Sequence, residues 1–381
     1  MHGMRRAPDR IERLPEQYFT TLLARVTAAG ADVIDVGRGN PDVPPPPHVI
    51  EALDASAREQ TAAVHGYPPF AGLPAAKEAI ARRYADVYGV ELDPEREVAL
   101  LPGTTTALVE LALVLAERGE RILLPDPGYP DYNSAVALAG AERVALPLAD
   151  DGRPEWDAAP RENVAAVYLN YPANPAAVAA PDGVFGEAVR FARETGAAVV
   201  HDFAYADLVY DGRRPESFLA EAGAREVGVE MFSLSKSYGM AGWRLGFVLG
   251  NEEIVSRLNV LQEHNRSGIF VPLQRAAIAA LTGPQDTVEE RRALYERRRD
   301  RVLAAIPGAR CEGTFFVWFP LPEGVTFDRL LAEHRIAVAP GEGFGERGRS
   351  YARLSLATRD DLLDEGLDRL RQALAGGTIR R

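Results

Sequence analysis

Short apolar runs alternate with helix-like segments through most of the chain, and this alternation limits the possible folds more than any other feature. Strand-like runs occupy residues 97–103, 121–126, 143–148, 163–172, 197–203, 229–235 and 243–250. Helical patterns at 104–119 and 183–196 lie between some of them. Apolar strands that are separated by helices indicate a mainly parallel sheet with helices on both faces. The expected fold class is therefore α/β.

The pattern changes after Gly283 and Pro284. A long charged helix at about 286–305 precedes strands and helices that suggest a smaller α+β domain. The proline-rich stretch 41–48 is typical of a rigid connector. We predict three parts: an N-terminal arm (1–45) that packs with the small domain, a large ligand-binding domain (46–284) and a small C-terminal domain (285–381).

The composition argues against several kinds of partner. A formal net charge of −12 disfavours nucleic acid, and the arginines between 291 and 301 are interleaved with acids, which predicts a solvent-exposed helix face. No run is long enough to span a membrane, the N-terminus lacks a secretory pattern, and Cys311 is the single cysteine. We therefore expect a cytoplasmic protein. No metal site is expected, because the histidines lack ligand spacing and the adjacent His201 and Asp202 point to opposite faces of a strand.

Reactive residue types gather where the predicted strands end, and open α/β sheets bind ligands at such ends. The turn at Gly103, Thr104 and Thr105 leads from a strand into a helix, whose free N–H groups favour phosphate. Asn174 follows a second strand. Asp202 ends a third, where a buried carboxylate needs a partner.

Lysine is rare in this chain, since the 43 basic residues include only Lys77 and Lys236. Lys236 follows the apolar run 229–234 and precedes Arg244. A poorly hydrated amine near a cation can lose its proton and act as a nucleophile, whereas arginine stays charged. The sequence thus predicts a reactive lysine at position 236.

Together these features describe a planar, phosphorylated aldehyde. The threonine turn and Arg244 would hold its phosphate, and Lys236 would condense with its aldehyde as an imine. Asp202 would pair with a positive ring nitrogen. The other expected contacts are a ring oxygen held by Asn174 and Tyr205, and a ring face stacked on Tyr132. Pyridoxal 5′-phosphate (PLP) has this chemistry and needs a lysine and a carboxylate.

Eight segments carry a resemblance to a known family: GNPDVP (39–44), GYPPFAGLP (66–74), PGTTTAL (102–108), PDPGYPDY (125–132), NYPANP (170–175), HDFAYAD (201–207), SLSKSYGMAGWRLGF (233–247) and YARLSLA (351–357). Over nearly its whole length the chain resembles class I/II aminotransferases of PLP-transferase fold type I. The pattern is closest to the LL-diaminopimelate and alanine aminotransferase branches. One departure is NPAA at 174–177, where many relatives have NPTG.

The resemblance implies a ping-pong aminotransferase that moves an amino group from an L-α-amino acid to a 2-oxo acid such as 2-oxoglutarate or pyruvate. Lys236 would form the internal aldimine and carry the proton, Asp202 would keep the ring nitrogen protonated, and Tyr205 would bond the 3′-oxygen. The cofactor-binding set that it implies is Gly103, Thr104, Thr105, Tyr132, Asn174, Asp202, Tyr205, Ser233, Ser235, Lys236, Arg244 and Tyr67.

The resemblance also implies substrate contacts and a partner subunit. Arg353 would grip the substrate α-carboxylate in a bidentate bond, with Gly39, Asn174 and Tyr18 completing the substrate site. Tyr67 would reach the phosphate of the neighbouring subunit, so the enzyme would be a homodimer with shared active sites.

Alternatives remain within and outside this chemistry. A PLP-dependent β-lyase or a cyclopropane-carboxylate-synthase-type enzyme shares these motifs. An SxxK serine hydrolase, formally matched by 233–236, is disfavoured because Ser233 ends an apolar run instead of starting a helix. The glycines of 341–348 do not match a dinucleotide-binding GxGxxG motif. Arg38 either selects a second acidic group or is a surface arginine, and the amino donor stays open.

Overall fold

The computed structural model describes residues 6–375. Its helices are α1 Asp9–Glu12, α2 Tyr18–Ala29, α3 Pro47–Arg58, α4 Ala62–His65, α5 Pro74–Tyr88, α6 Thr104–Leu115, α7 Asp131–Ala139, α8 Val184–Thr195, α9 Ala224–Val227, α10 Leu234–Ser237, α11 Glu252–Asn265, α12 Val271–Thr282, α13 Asp286–Ala305, α14 Phe327–Glu333 and α15 Asp360–Leu374. Its strands are β1 Ile34–Asp35, β2 Val98–Leu101, β3 Arg121–Asp126, β4 Glu142–Pro147, β5 Val164–Asn170, β6 Ala198–Asp202, β7 Gly228–Ser233, β8 Gly246–Gly250, β9 Phe316–Pro320, β10 Ile336–Ala337, β11 Ala339–Pro340 and β12 Tyr351–Ser355.

A seven-stranded sheet in the order β2-β8-β7-β6-β5-β3-β4 forms the centre of the molecule. Strands β3 to β7 are parallel to one another, and β8 runs antiparallel to both of its neighbours. The predicted α/β class with a mainly parallel sheet is confirmed. Register pairs Asn170 with Asp202, so the ends of β5 and β6 meet at one edge.

Helices cover both faces of this sheet, which explains why its central strands are mostly apolar; among the polar exceptions, His201 of β6 and Glu230 of β7 are buried and bond each other (2.7 Å). Residues of α3, α5, α8 and α12 pack in one buried cluster, and residues of α6, α7 and α11 pack in another. Every residue of β7 and β8 is buried. Strands that are buried on both faces are not expected to alternate regularly between apolar and polar residues. The sequence of these strands accordingly lacks such an alternation.

The N-terminal arm and the C-terminal part share a third buried cluster. β1 pairs in parallel with β10, and β12 lies antiparallel between β11 and β9. Side chains of α2, α14 and α15 pack with these strands. The domain boundaries at 45/46 and 284/285 stay a prediction.

The expectation of a solvent-exposed arginine face on α13 is wrong for three of its arginines. Arg291, Arg298 and Arg299 are all at most 5% exposed. Arg298 donates to Asp42 (2.7 Å), and Arg299 pairs with Asp211 (2.7 Å). Arg298 and Arg299 are therefore paired with acids from distant segments, while Arg291 donates to the backbone carbonyls of Ser237 and Pro44 (2.9 Å to Pro44).

The described residues contain neither a membrane-spanning helix nor a metal-binding group of acidic, histidine or cysteine side chains. Between residues 6 and 375, no helix is long and apolar enough to cross a membrane. Over the same range no three His, Cys, Asp or Glu side chains are grouped so that they could hold a metal ion.

Candidate active site

A cavity of about 480 Å³ opens at the carboxyl ends of β5, β6 and β7, next to the N-terminal arm. Many of the residues predicted from the sequence line it: Gly39, Thr104, Thr105, Asn174, Asp202, Tyr205, Ser233, Ser235, Lys236, Arg244 and Arg353. Four other predicted residues, Tyr18, Tyr67, Gly103 and Tyr132, are not part of its wall. The cavity therefore lies where the strand ends predict a ligand site, although some of the predicted side chains do not line it.

Lys236 lies in the short helix α10, directly after β7. Its Nζ donates to the carbonyl oxygen of Gly39 (3.3 Å). Burial lowers the pKa of this amine to about 8, and the charges of Arg353 and Arg244 act in the same direction, while Asp202 opposes them. An amine that loses its proton near neutrality is a competent nucleophile and base.

Ser233 is both the last residue of β7 and the N-cap of α10, where its Oγ accepts the N–H of Ser235 (3.2 Å). The argument that it does not start a helix is thus only half right. Lys236 still does not serve as a base for Ser233, because within residues 6–375 its Nζ bonds to Gly39 and not to the serine. A serine nucleophile needs such a contact.

Asp202 is buried at the end of β6 without an ion pair inside residues 6–375. Its Oδ2 accepts the hydroxyl of Tyr132 (2.8 Å) and its Oδ1 accepts the N–H of Ala204 (3.1 Å). Burial raises the pKa of Asp202, and these two donors act against that rise. A buried carboxylate held only by neutral donors has room for a cationic partner, such as a protonated ring nitrogen.

The expectation that Tyr132 stacks on a ligand ring needs correction. Helix α7 begins at Asp131, so Tyr132 turns inward, packs on Tyr168 (ring centres 5.6 Å apart) and bonds Asp202. Tyr129 lies before the helix and lines the cavity, with its hydroxyl on Asp131 (2.7 Å). The aromatic wall is therefore Tyr129.

The N-terminus of α6 and Arg244 form an electropositive corner. Gly103, the N-cap, has a φ of +88°, and a Cβ there would lie 2.4 Å from a guanidinium nitrogen of Arg244. Glycine is thus what allows the guanidinium to approach the turn. Arg244 also donates to the carbonyl of Ala241 (2.9 Å). Unpaired N–H groups at the start of a helix, next to a permanent cation, suit a phosphate.

Arg353 is a buried cation for which residues 6–375 supply no carboxylate partner. It donates to Oδ1 of Asn174 (2.7 Å) and to the carbonyl of Gly37 (3.1 Å), and its Nε has no partner in that range. The ring of Phe316 lies 3.7 Å from the guanidinium carbon. Burial lowers the pKa of Arg353 to about 10. An anionic ligand would compensate this charge.

The loop 35–39 contacts both Lys236 and Arg353. Asp35 accepts the N–H of Gly37 through its Oδ1 (2.9 Å), while the carbonyls of Gly37 and Gly39 accept from Arg353 and Lys236. A Cβ on Gly39 would lie 2.7 Å from the ring of Phe316. The glycines therefore let a backbone segment approach where a side chain would collide.

The N-terminal arm reaches the cavity through Phe19 instead of Tyr18. The Tyr18 hydroxyl donates to the carbonyl of Pro340 (2.7 Å), which turns its ring toward Phe344. Phe19, the next residue on α2, lines the cavity, and its ring centre lies 5.2 Å from the guanidinium carbon of Arg353.

Tyr67 is 88% exposed and lies outside the cavity. Its contact with the phosphate of a neighbouring subunit stays a prediction.

Phe19, Asp35, Tyr129 and Phe316 are among the wall residues that the sequence did not predict. Tyr129 had a signal, since it precedes the helix in the same motif as Tyr132. Phe19 and Asp35 are distant in sequence from the strand ends, so only the packing of the arm reveals them.

The comparisons agree with this geometry. The model of the family "Aminotransferase class I and II" matches residues 31–370. The chain is 42% identical to the L-glutamine–4-(methylsulfanyl)-2-oxobutanoate aminotransferase of Bacillus subtilis, with 94% of each chain covered. It is 41% identical to the LL-diaminopimelate aminotransferase of Desulforudis audaxviator, with 97% of this chain and 98% of the relative covered.

Solved structures give the same result. The substrate-bound BacF structure from Bacillus subtilis superimposes with a TM-score of 0.93 at 34% identity and covers 99% of this chain and 100% of that one. The chain belongs to the class I and II aminotransferases, and its fold is that of the fold-type-I PLP transferases.

Proposed function

We propose that this aminotransferase is PLP-dependent, with Lys236 as the residue that binds the cofactor aldehyde. The observation that carries the proposal is the set of unmet charges in one cavity. Within residues 6–375, Lys236 and Arg353 form no direct ion pair with an acid and Asp202 forms none with a cation, although the charges of Lys236 and Asp202 act on each other at longer range. A cofactor with a protonated ring nitrogen and a substrate with a carboxylate would satisfy these groups.

The residues present fit that cofactor. The corner of Gly103, Thr104 and Arg244 suits the phosphate, and Ser233 and Ser235 line the cavity beside it. Class I and II aminotransferases generally depend on PLP. When bound, PLP supplies an electron sink that stabilises negative charge at the substrate Cα.

The remaining steps belong to the protein. Arg353 would bind the α-carboxylate through two N–H groups and orient the Cα–H bond, and Phe316 keeps water from that ion pair. The free Nζ of Lys236 would accept the Cα proton, a role for which a lowered pKa is suitable. Asn174 and Tyr205 would bond the ring oxygen, and Tyr129 would cover the ring face.

The reaction that we propose is ping-pong transfer from an L-α-amino acid to a 2-oxo acid such as 2-oxoglutarate or pyruvate. We also propose a homodimer in which Tyr67 enters the phosphate site of the neighbouring subunit; its 88% exposure within one chain supports this. The single buried thiol of Cys311 supports a reducing, cytoplasmic location.

Cofactor binding and catalysis can be tested with Lys236→Ala. Purified wild-type protein with PLP should absorb in the visible region, and borohydride should fix the cofactor to Lys236 in a peptide map. Lys236→Ala should lose turnover by roughly 10³-fold or more, because both nucleophile and proton carrier are removed. Wild-type protein that binds no PLP would refute the proposal.

The products separate transfer from elimination. An amino donor added alone should convert the bound cofactor to its amino form and release one equivalent of 2-oxo acid. Release of ammonia over many turnovers would instead identify a β-lyase.

A further inference from the structure

Part of the cavity wall has no role in the contacts proposed for the cofactor and the α-carboxylate. We call the space beside this part the outer chamber; its wall consists of Gln17, Phe19, Thr20, Leu22, Leu23, Asp35 and Arg38. We propose, as an extension of the proposed aminotransferase function, that this chamber selects amino acids with neutral, largely apolar side chains, such as methionine or leucine, over dicarboxylic ones.

One helix face supplies an apolar wall next to the α-carboxylate site. Phe19, Leu22 and Leu23 are spaced so that they share a face of α2, and all three line the cavity. Phe19 also contacts Arg353, so a side chain leaving the substrate Cα meets this face directly. Leu23 is 40% exposed in the free chain, an apolar surface that a substrate side chain would cover.

The carboxylate of Asp35 opposes a second acid. It is half-buried and accepts the N–H of Gly37 (2.9 Å). Burial raises the pKa of Asp35, while the N–H groups of Gly37 and Arg38 and the charge of Arg38 act against that rise. A substrate carboxylate beside Asp35 would be repelled by it in these half-buried surroundings.

Arg38 is too exposed to reverse this preference. Arg38 is solvent-exposed; its backbone N–H and its charge act on Asp35, and its side chain forms no salt bridge within residues 6–375. An exposed ion pair changes affinity by at most about fivefold. One methylene in an apolar pocket changes specificity by roughly 10- to 200-fold. The apolar wall therefore outweighs the single exposed cation.

The test uses the PLP-loaded enzyme in single turnovers. L-Methionine and L-leucine should convert the bound cofactor at least about tenfold more efficiently than L-glutamate and L-aspartate. Binding can be measured apart from reaction with two unreactive acids, hexanoate and glutarate, by calorimetry. Hexanoate should bind more tightly.

Leu23→Glu places a carboxylate on the apolar wall without opening the core. It should slow the reaction of methionine by roughly 10- to 100-fold and change that of L-alanine, whose side chain is too short to reach, by less than about twofold. Leu362→Glu is the matched control, since Leu362 is an exposed leucine on α15 outside the cavity. That variant should match wild type with both substrates.

Two results would overturn the proposal: equal rates for all four amino acids, or faster reaction of the dicarboxylic acids. In the second case, loss of that advantage in Arg38→Ala would assign it to Arg38. Failure of the proposed function looks different, because then no amino acid, L-alanine included, would alter the cofactor spectrum.

Discussion

Two buried arginines in this molecule have opposite surroundings. Arg83 donates to Asp207 (2.6 Å) and to the hydroxyl of Tyr238 (2.9 Å), while Arg353 meets only an amide and a carbonyl oxygen. Burial lowers the pKa of both guanidinium groups. At Arg83 the charge of Asp207 more than reverses this and raises the pKa, whereas at Arg353 the pKa stays lowered, to about 10.

The difference separates structural from functional charge. The charge of Arg83 is balanced by Asp207 within the chain, so this ion pair joins α5 to the segment after β6. Arg353 is held in place by packing and by two neutral acceptors, so an anionic ligand would compensate its charge.

The two lysines differ in a similar way. Both bond a backbone carbonyl, but Lys77 also lies 3.8 Å from the Glu95 carboxylate. Lys236 has no carboxylate in ion-pair contact within residues 6–375 and is acted on by the charges of Arg353 and Arg244 more than by that of Asp202.

Replacing each arginine with glutamine should have different effects: Arg83→Gln should lose stability, and Arg353→Gln should lose activity. Arg83→Gln leaves Asp207 buried and unpaired, and should lower the free energy of unfolding by about 3–5 kcal/mol. Arg353→Gln should leave the free energy of unfolding within about 1 kcal/mol of wild type or raise it, because an uncompensated buried charge disappears. Its kcat/KM for the amino donor should fall by roughly 10²- to 10³-fold.

Denaturant titration and steady-state kinetics on both variants measure the two effects. The comparison breaks if Arg353→Gln is the less stable protein, or if Arg83→Gln loses activity at a temperature where it is fully folded.

The lysine side of the comparison predicts a pH dependence in cofactor-free protein. The pKa of Lys236 is about 8 when folded, below its ordinary value of 10.5. A depressed pKa means that the stability present above pH ~10.5 is lost as the pH falls through about 8, where the buried amine must charge. Lys236→Met should therefore be more stable than wild type by about 3 kcal/mol at pH 7, and by little at pH 10.

Lys77→Met gives the contrasting case: it should not gain this stability at pH 7, since it removes the cation that lies beside Glu95. If the stability difference between Lys236→Met and wild type stays constant from pH 7 to 10, the amine is not titrating as the structure indicates.

The hydroxyl of Tyr132 should have a smaller effect, on cofactor affinity. Tyr132→Phe removes a donor from Asp202, so the pKa of that carboxyl should rise further and its pairing with a ring nitrogen should weaken. A hydrogen bond to a charged group contributes about 1.5–3 kcal/mol, which corresponds to roughly 10- to 100-fold in the dissociation constant of PLP.

Fluorescence titration of apo protein with PLP between pH 6 and 9 measures this, with the largest loss expected at the acid end. Tyr168→Phe is the matched control, because its hydroxyl bonds the carbonyl of Leu108 (3.4 Å) in the same buried cluster. Equal losses in both variants would show a packing effect instead.

The cavity residues at the strand ends could be predicted from the sequence, and those from the N-terminal arm only partly. Strand ends placed Asp202, Asn174 and Lys236 at one sheet edge, because parallel strands deliver their carboxyl ends together. That argument fixes the position of a backbone and not the direction of each ring. It therefore chose Tyr132 where the start of α7 gives the cavity face to Tyr129.

The remaining cavity residues depend on contacts between segments that are far apart in the sequence, which local sequence patterns do not predict. Asp35 and Phe19 come from the arm, and they reach the cavity only because β1 pairs with β10, some 300 residues away in the chain. The prediction of a solvent-exposed arginine face on α13 was wrong for a similar reason. Their acidic neighbours in the sequence suggested a solvated face, while Asp42 and Asp211 from distant segments pair with Arg298 and Arg299.

The smallest predicted effect concerns Asp35 as a positioning residue. Asp35→Asn keeps an oxygen that can accept the N–H of Gly37, so the carbonyl that holds Arg353 should stay in place. Asp35→Ala removes that acceptor and should raise KM for the amino donor about five- to tenfold, with kcat nearly unchanged. Retention of the wild-type KM by the asparagine variant alone would show that loop geometry is what Asp35 provides. If Asn and Ala raise KM equally, the carboxylate charge itself matters, and the loop would not be what links Arg353 to the arm.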